Sequence, residues 1–238
     1  EQRQIRKTSK LLEAEAVKLS EERMERRGYE EYIESWAHEI KTPLSLITLM
    51  LDSRSDEMSE GVRTRLNCSQ IQIQRYVEQI LYYSRLKADH KDYVMEHLSL
   101  AECCSEALEE HRFFLQAYGF QVTETYDDSC VFTDRRGLLF LLGQVISNAV
   151  KYRKTDGTES RLQITAEHAE DGRSVLLSVT DNGIGVMKQD LPFIFDKGFC
   201  SETGESGRKS TGMGLYLVRK MADDLEIEVS AESEYGAG

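Results

Sequence analysis

The sequence predicts an α+β chain: a long helical hairpin that pairs with a second copy as a four-helix bundle, followed by an α/β sandwich. Three observations carry that expectation. Apolar residues recur every seven positions in the first fifty, at Ile5, Leu12, Leu19, Ile33, Ile40 and Ile47, with only Arg26 interrupting. A second stretch, from about Val62 to Leu86, repeats the spacing with Leu66, Ile73 and Ile80. Beyond it the seven-residue period disappears, and short alternating runs, glycine-rich turns and apolar helices take over.

A sustained repeat of seven predicts a left-handed coiled coil or bundle rather than a lone surface helix. Trp36, Leu44 and either Met50 or Leu51 fill the complementary positions, with Val77 and Leu81 beside the second stripe. The connection Ser53–Gly61 is short and polar, so the two helices should return antiparallel. One hairpin cannot bury such a stripe alone, and a homodimer is therefore expected.

Within the first helix, Trp36-Ala-His-Glu-Ile-Lys-Thr-Pro-Leu44 carries the densest chemistry of the chain. His38 and Thr42 are i,i+4 neighbours on one helical face, and Glu39 reaches the same imidazole from beside it. The register puts His38 away from the seam, which excludes a core role for it. Pro43 lacks an N–H, removes the bond to the Glu39 carbonyl and tends to bend the helix there. A bend beside a His-Glu pair marks a place where another domain must approach closely.

In the second half, residues 87–97 read as a charged linker. Leu100–Ala117 reads as a helix with Ser99 as N-cap, and Gln121–Tyr126 and Cys130–Thr133 as short strands. Arg135–Tyr152 is a helix with a buried stripe of Leu138, Leu139, Leu142, Val145 and Ile146. Leu162–Glu167 and Val175–Thr180 are strands, Met213–Asp223 a helix and Ile227–Ala231 a last strand. Strands and helices mixed without regular alternation predict a helix layer on one mixed sheet.

Four clusters in this half belong together. Asn148-Ala-Val-Lys-Tyr152 ends a buried helix with an amide, an ammonium and a phenol. Asp181-Asn-Gly-Ile-Gly185 follows a strand, and its glycines permit close backbone approach. Ser206–Ser210 is glycine-rich and basic, which predicts a mobile loop. Thr211-Gly-Met-Gly-Leu215 then opens a helix whose N–H groups and dipole suit a phosphate. Each cluster is weak alone; their order and spacing are strong.

Composition narrows the partners. A net charge of −12 disfavours direct binding of nucleic acid. No apolar run reaches the ~18–20 residues that cross a bilayer. The five cysteines, at 68, 103, 104, 130 and 200, lack any C-x-x-C spacing and read as ordinary thiols of a reducing compartment. Cys103-Cys104 reads as packing, and His90, His97, His111 and His168 have no companion pattern.

From about Tyr29 onward the chain resembles bacterial two-component sensor histidine kinases. Trp36–Leu44 resembles the family's H-box, Gln144–Tyr152 its N-box and Asp181–Gly185 its first glycine box. Leu191–Phe199, with Phe193 and Phe195, resembles the F-box, and Thr211–Leu215 the second glycine box. More loosely, the H-box and the stretch from Phe195 to Tyr216 resemble kinases that sense antibiotic peptides beside a transporter.

The resemblance implies a fold, domains and roles. The second half would take the histidine kinase/gyrase/Hsp90-type ATPase fold. The domains would be a coiled-coil signalling helix (1–28), a dimerisation and phosphotransfer domain (29–90) and a catalytic ATP-binding domain (91–238). His38 would be the phosphoacceptor, Glu39 the base polarising it, and Thr42 the group positioning water for phosphatase action. Asn148 would hold Mg²⁺ together with Gln144, Lys151 would meet phosphate and Tyr152 would lie beside the base. Asp181 would accept from the adenine amino group. Gly183, Gly185, Thr211, Gly212, Gly214 and Leu215 would frame ATP and its lid, with Lys197, Arg208 and Lys209 reaching the phosphates. The partner would be the receiver domain of a response regulator.

Two features depart from the family pattern. Gln144 stands where asparagine is usual, four residues before Asn148. The chain also stops at Tyr235-Gly-Ala-Gly238, where the family continues into one more strand. The expectation is a cytoplasmic portion of a bacterial inner or plasma-membrane protein, touching the membrane only through segments absent from this chain. Two other readings stand beside the kinase: a dimeric scaffold that holds nucleotide without transfer, and an ATPase or chaperone of the same nucleotide fold.

Overall fold

Seven-residue periodicity produces helices in the first part of the chain. The computed structural model describes residues 33, 37, 40–51, 53, 58–87, 92–127, 129–169, 174–200 and 212–236. It divides into two units, Glu1–Lys91 and Asp92–Gly238. Residues 40–51 form helix α1, which continues through Pro43, and Glu60–Lys87 form α2. The readings on residues 1–28 and on Trp36 lie outside the described residues.

Burial separates two stripes on this pair of helices. Ala37, Leu44 and Leu51, seven apart, are buried, as are Val77 and Ser84. Ile47, Leu66 and Ile73 remain 44%, 42% and 44% exposed. These helices therefore bury the complementary positions and leave Ile47, Leu66 and Ile73 of the predicted stripe exposed, with Ile33, Ile40 and Ile80 half-buried. Of the two candidates at the end of α1, Leu51 is the buried one, and Met50 is 62% exposed.

The second unit is built from five strands and three α-helices among the described residues. Strand β1 (Met95–Ser99) pairs antiparallel with β3 (Cys130–Asp134). Strand β2 (Gln121–Tyr126) runs parallel to β4 (Arg161–His168), which pairs antiparallel with β5 (Val175–Asp181). The expected single mixed sheet is thus two ladders, of two and three strands. Strand β4 turns Leu162, Ile164 and Ala166 into the core, while Arg161, Gln163 and Glu167 face solvent. No helix of the described residues is long and apolar enough to cross a membrane.

Helix α3 (Leu100–Ala117) starts where Ser99 Oγ accepts the Glu102 N–H. It ends at Tyr118, after which Gly119 takes a left-handed φ of 66° and Phe120 N–H returns to the Leu115 carbonyl. Cys103 and Cys104 are fully buried, and burial pushes the Cys104 thiol up to about 11, so these are packing thiols.

Helix α4 (Arg135–Lys151) packs against both α3 and α5 (Gly214–Asp224). Its buried set is wider than one stripe. Leu138, Leu142 and Ile146 are buried as expected, but so are Phe140, Leu141, Ala149 and Val150. Leu139 and Val145 are only half-buried. A helix with neighbours on two sides buries more than one stripe, which explains the difference. A Cβ on Gly137 would lie 2.6 Å from Leu225 Cδ1, and one on Gly143 would lie 3.3 Å from His111 Cε1. Glycine therefore clears both flanks of α4.

Two stretches take a different structure from the sequence reading. Residues 95–97 belong to β1 rather than a linker; the strand buries only Leu98 fully, so it has little apolar signal. Residues 227–231 form no ladder strand. Their backbone instead closes α5: Glu226 takes a left-handed φ of 57°, and Ile227 N–H bonds to the Ala222 carbonyl at 2.8 Å. Val229 O accepts Arg219 Nη1 at 2.8 Å.

Asp134 joins these parts. Its Oδ1 accepts Gly137 N–H at 2.7 Å, capping α4, and its Oδ2 accepts Val94 N–H at 2.8 Å, fixing the entry to β1. Asp134→Ala should lower unfolding free energy by about 2–3 kcal/mol in urea titration, and Asp134→Asn by about half as much.

Candidate functional site

The last turn of α4 and the turn after β5 carry complementary unpaired backbone groups, and the structure joins them. A helix end leaves carbonyls without helical partners. Tyr152, the C-cap of α4, donates its N–H to the Asn148 carbonyl at 2.9 Å. Its own carbonyl accepts Ile184 N–H at 2.9 Å. Asn148, Lys151 and Tyr152 are thereby brought beside Asp181, Gly183 and Gly185. Lys151 Nζ sits 4.8 Å from the centre of the Tyr152 ring. Gln144 is buried one turn before the half-buried Asn148.

The turn itself is shaped by Asp181, whose Oδ1 accepts Gly183 N–H at 2.8 Å. A Cβ on Gly183 would lie 2.6 Å from both Asp181 Oδ1 and the Tyr152 carbonyl oxygen. Gly185 has φ of 70°, and a Cβ there would run into the Glu234 carbonyl. Residues 233–236 hold the far side: Val186 N–H donates to Ser233 Oγ at 2.8 Å, and Gly236 N–H to the Ile184 carbonyl at 2.9 Å.

A second group of the expected residues meets at α5. Gly198 N–H donates to the Gly212 carbonyl at 3.0 Å, and a Cβ on Gly212, where φ is 61°, would overlap the Gly198 backbone. Lys197 is therefore held next to the residues that lead into Gly214 and Leu215. Among the described residues no side chain caps the N-terminus of α5, where the helix dipole is positive. The F-box aromatics Phe193 and Phe199 lie 6.1 Å apart, and Arg219 lies 5.7 Å from the centre of the Phe195 ring.

Thr42 is exposed on α1. His38, Glu39, Arg208, Lys209 and Thr211 lie outside the described residues. Two residues that the sequence reading passed over support the site. Asn182 Oδ1 accepts Arg161 N–H at 2.7 Å and its Nδ2 donates to the Glu159 carbonyl at 2.8 Å, pinning the turn to the start of β4. Gly198 is the seat of Gly212; its signal was a glycine closing the Phe-Asp-Lys-Gly turn.

Comparisons with known proteins follow this geometry. Residues 30–89 match the His Kinase A (phospho-acceptor) domain. Residues 133–238 match the histidine kinase-, DNA gyrase B-, and HSP90-like ATPase family. Sensor histidine kinase YxdK of Bacillus subtilis is 33% identical over 233 residues, 98% of this chain and 69% of that protein. Sensor histidine kinase GraS of Staphylococcus epidermidis is 31% identical over 226 residues, 94% of this chain and 63% of that one. Sensor protein BceS of Bacillus subtilis is 31% identical over 86% of this chain and 58% of its own length. The chain thus spans 58–69% of these relatives. Among solved structures, full-length ShkA in complex with AMPPNP gives a TM-score of 0.62 at 21% identity, covering 87% of this chain and 43% of that one. Histidine kinase AdeS of Acinetobacter baumannii gives 0.54 at 19%, covering 84% and 92%. Both are likenesses of fold.

Gly119 and Gly185 share a left-handed φ but not their surroundings, since a Cβ on Gly119 meets nothing within 4 Å. Gly119→Ala should cost about 1 kcal/mol of stability, and Gly185→Ala about 3 kcal/mol or more, by urea unfolding.

Proposed function

Because this chain belongs to the sensor histidine kinases, we propose that it transfers the γ-phosphoryl group of ATP to His38 and then to an aspartate of a response regulator. The observation that best supports this is the hydrogen bond between Ile184 and Tyr152, which sets the Asn148 turn beside the Asp181 turn. In this reading Asp181 takes the adenine amino group, Tyr152 lies along the base, and Lys151 meets phosphate. Gly183 and Gly185 let the Tyr152 and Glu234 carbonyls close on the turn that frames the nucleotide. Lys197, Arg208, Lys209, Thr211, Gly212, Gly214 and Leu215 surround the phosphates, with the α5 N-terminus directed at their charge.

The donor chemistry of α4 suits a hard cation. Asn148 and the buried Gln144 carry amide oxygens on residues one turn apart, of the type that Mg²⁺ accepts beside waters and phosphate oxygens. When bound, Mg²⁺ would neutralise charge on the β- and γ-phosphates. The glutamine in place of asparagine lengthens one arm without changing the donor atom.

At the acceptor, neutral imidazole is available near its pKa of ~6.5. The lone pair of one His38 nitrogen forms the N–P bond as the bond from γ-phosphorus to the bridging oxygen breaks and ADP leaves. Glu39 holds the other ring N–H and stabilises the developing cation, as a carboxylate does for a triad histidine. Transfer otherwise rests on positioning and charge neutralisation. Thr42, one turn on, orients water at the regulator's aspartyl phosphate for the phosphatase reaction.

The active species is a homodimer, supported by the exposed Ile47, Leu66 and Ile73 stripe that one hairpin leaves uncovered. The chain is the cytoplasmic portion of a membrane kinase, with boundaries near residues 28 and 90 separating signalling helix, phosphotransfer domain and ATP-binding domain. The loose resemblance to antibiotic-peptide sensors supports that class of stimulus.

Incubation with γ-labelled ATP and Mg²⁺ tests the reading. The label should be acid-labile and alkali-stable, and absent from His38→Gln, which should still bind ATP. Asn148→Ala should lower labelling by at least about a hundredfold through lost positioning. An acid-stable label, or one persisting in His38→Gln, overturns the assignment; nucleotide binding without any label favours the scaffold reading.

Thr42→Ala should autophosphorylate within about twofold of the parent while losing roughly tenfold or more in dephosphorylation of the regulator. Time courses of both reactions check this, and equal loss of both would mean that the helix at Pro43 had been disturbed instead.

A further inference from the structure

Arg153 follows the Asn148–Tyr152 cluster directly and has no part in the roles above. Its guanidinium carbon lies 3.6 Å from the centre of the Tyr118 ring, at the end of α3. Its Nη1 donates to the Val150 carbonyl at 3.0 Å, taking up one of the unsatisfied acceptors at the end of α4. Tyr118 is stacked on Phe114 at 6.4 Å, and Phe114 is buried. One side chain thus fastens the ends of two helices, using a cation over an aromatic face in a half-buried setting.

The backbone next to it bears the neighbouring load. Tyr152 O accepts Ile184 N–H, and Gly183 approaches the same carbonyl. The segment 152–153 is therefore held by Arg153 against α3 and in turn holds the Asp181–Gly185 turn. After it the chain runs without regular structure as far as Ser160. Nothing in that stretch's secondary structure substitutes for the fastening.

We infer that Arg153, acting through Tyr118, is a positioning residue that sets the spacing between the Asn148 turn and the Asp181 turn. This rests on the nucleotide reading above. A nucleotide with its metal spans both turns, base at one and phosphates at the other, so it measures their separation. Adenosine engages Asp181 and the Tyr152 ring, which the Tyr152–Ile184 bond keeps together, and reaches neither Asn148 nor Lys151. Loosening the 152–153 hinge changes the separation and leaves each end intact, so only the spanning ligand suffers.

The test compares Mg–ATP with adenosine on the full chain by equilibrium dialysis. Arg153→Leu and Tyr118→Leu should each weaken Mg–ATP about fivefold, with adenosine unchanged within about twofold. Tyr118→Phe keeps the ring and should match the parent, Arg153→Lys should fall between, and the double leucine variant should be no worse than either single one. Equal weakening of both ligands, damage from Tyr118→Phe as large as from Tyr118→Leu, or unchanged Mg–ATP binding overturns the inference. A parent chain that binds Mg–ATP but not adenosine also overturns it, because its affinity would not reside at Asp181. A parent that binds neither ligand defeats the nucleotide reading itself.

Discussion

The Tyr152 carbonyl bonded to the Ile184 N–H is the contact on which the candidate nucleotide site depends. A helix terminus and a post-strand turn each expose backbone groups that are costly to bury unpaired. Satisfying each with the other needs no side chain, but it requires two peptide planes to come within van der Waals range. Gly183 is what allows that approach, since any Cβ there meets the Tyr152 carbonyl oxygen at 2.6 Å. The helix end that carries Asn148 and Lys151 and the turn that follows Asp181 are neighbours because their backbones are bonded.

That arrangement in turn requires α4 to be placed accurately, and the helix is fixed at both ends and along two sides. Asp134 caps its start, Arg153 and Tyr152 hold its finish, and glycines at 137 and 143 let α5 and α3 approach. His111, buried beside Gly143, donates from Nδ1 to the Ala107 carbonyl at 2.8 Å, so its polar edge is satisfied locally. The interior of this unit is consequently dense where the site needs rigidity, as close-packed cores are.

Much of this was legible in the sequence because the relevant signals are local. Ser99 announced α3, the apolar repeat announced α2, and Asp181-Asn-Gly announced a turn after a strand. What escaped notice depends on distant partners. Strand β1 has one fully buried residue and owes its existence to pairing with β3. Residues 227–231 alternate like a strand, yet their backbone is engaged in closing α5. Met50 and Leu51 are equivalent by period alone, and only burial in the folded chain distinguishes them. For the site, the residue types in each cluster were readable, whereas Asn182 and Gly198 gained their roles from Glu159, Arg161 and Gly212, which lie far along the chain.

The Asn182 latch also bears on chemical ageing. Asparagine followed by glycine is the dipeptide most open to self-attack, in which the following backbone nitrogen displaces the side-chain amide and leaves an aspartate or isoaspartate. Here the attacking nitrogen is committed to Asp181 Oδ1, and the two ends of the amide are engaged by Arg161 of β4 and by Glu159 just before it. The native turn thus shields its own weakest covalent point, and the reaction proceeds from molecules in which the turn has opened. Each such event would set a new negative charge against the Glu159 carbonyl and add a methylene to the backbone in the isoaspartate product. The lifetime of the candidate site would then be governed by how often that one turn opens, independently of how stable the rest of the domain is.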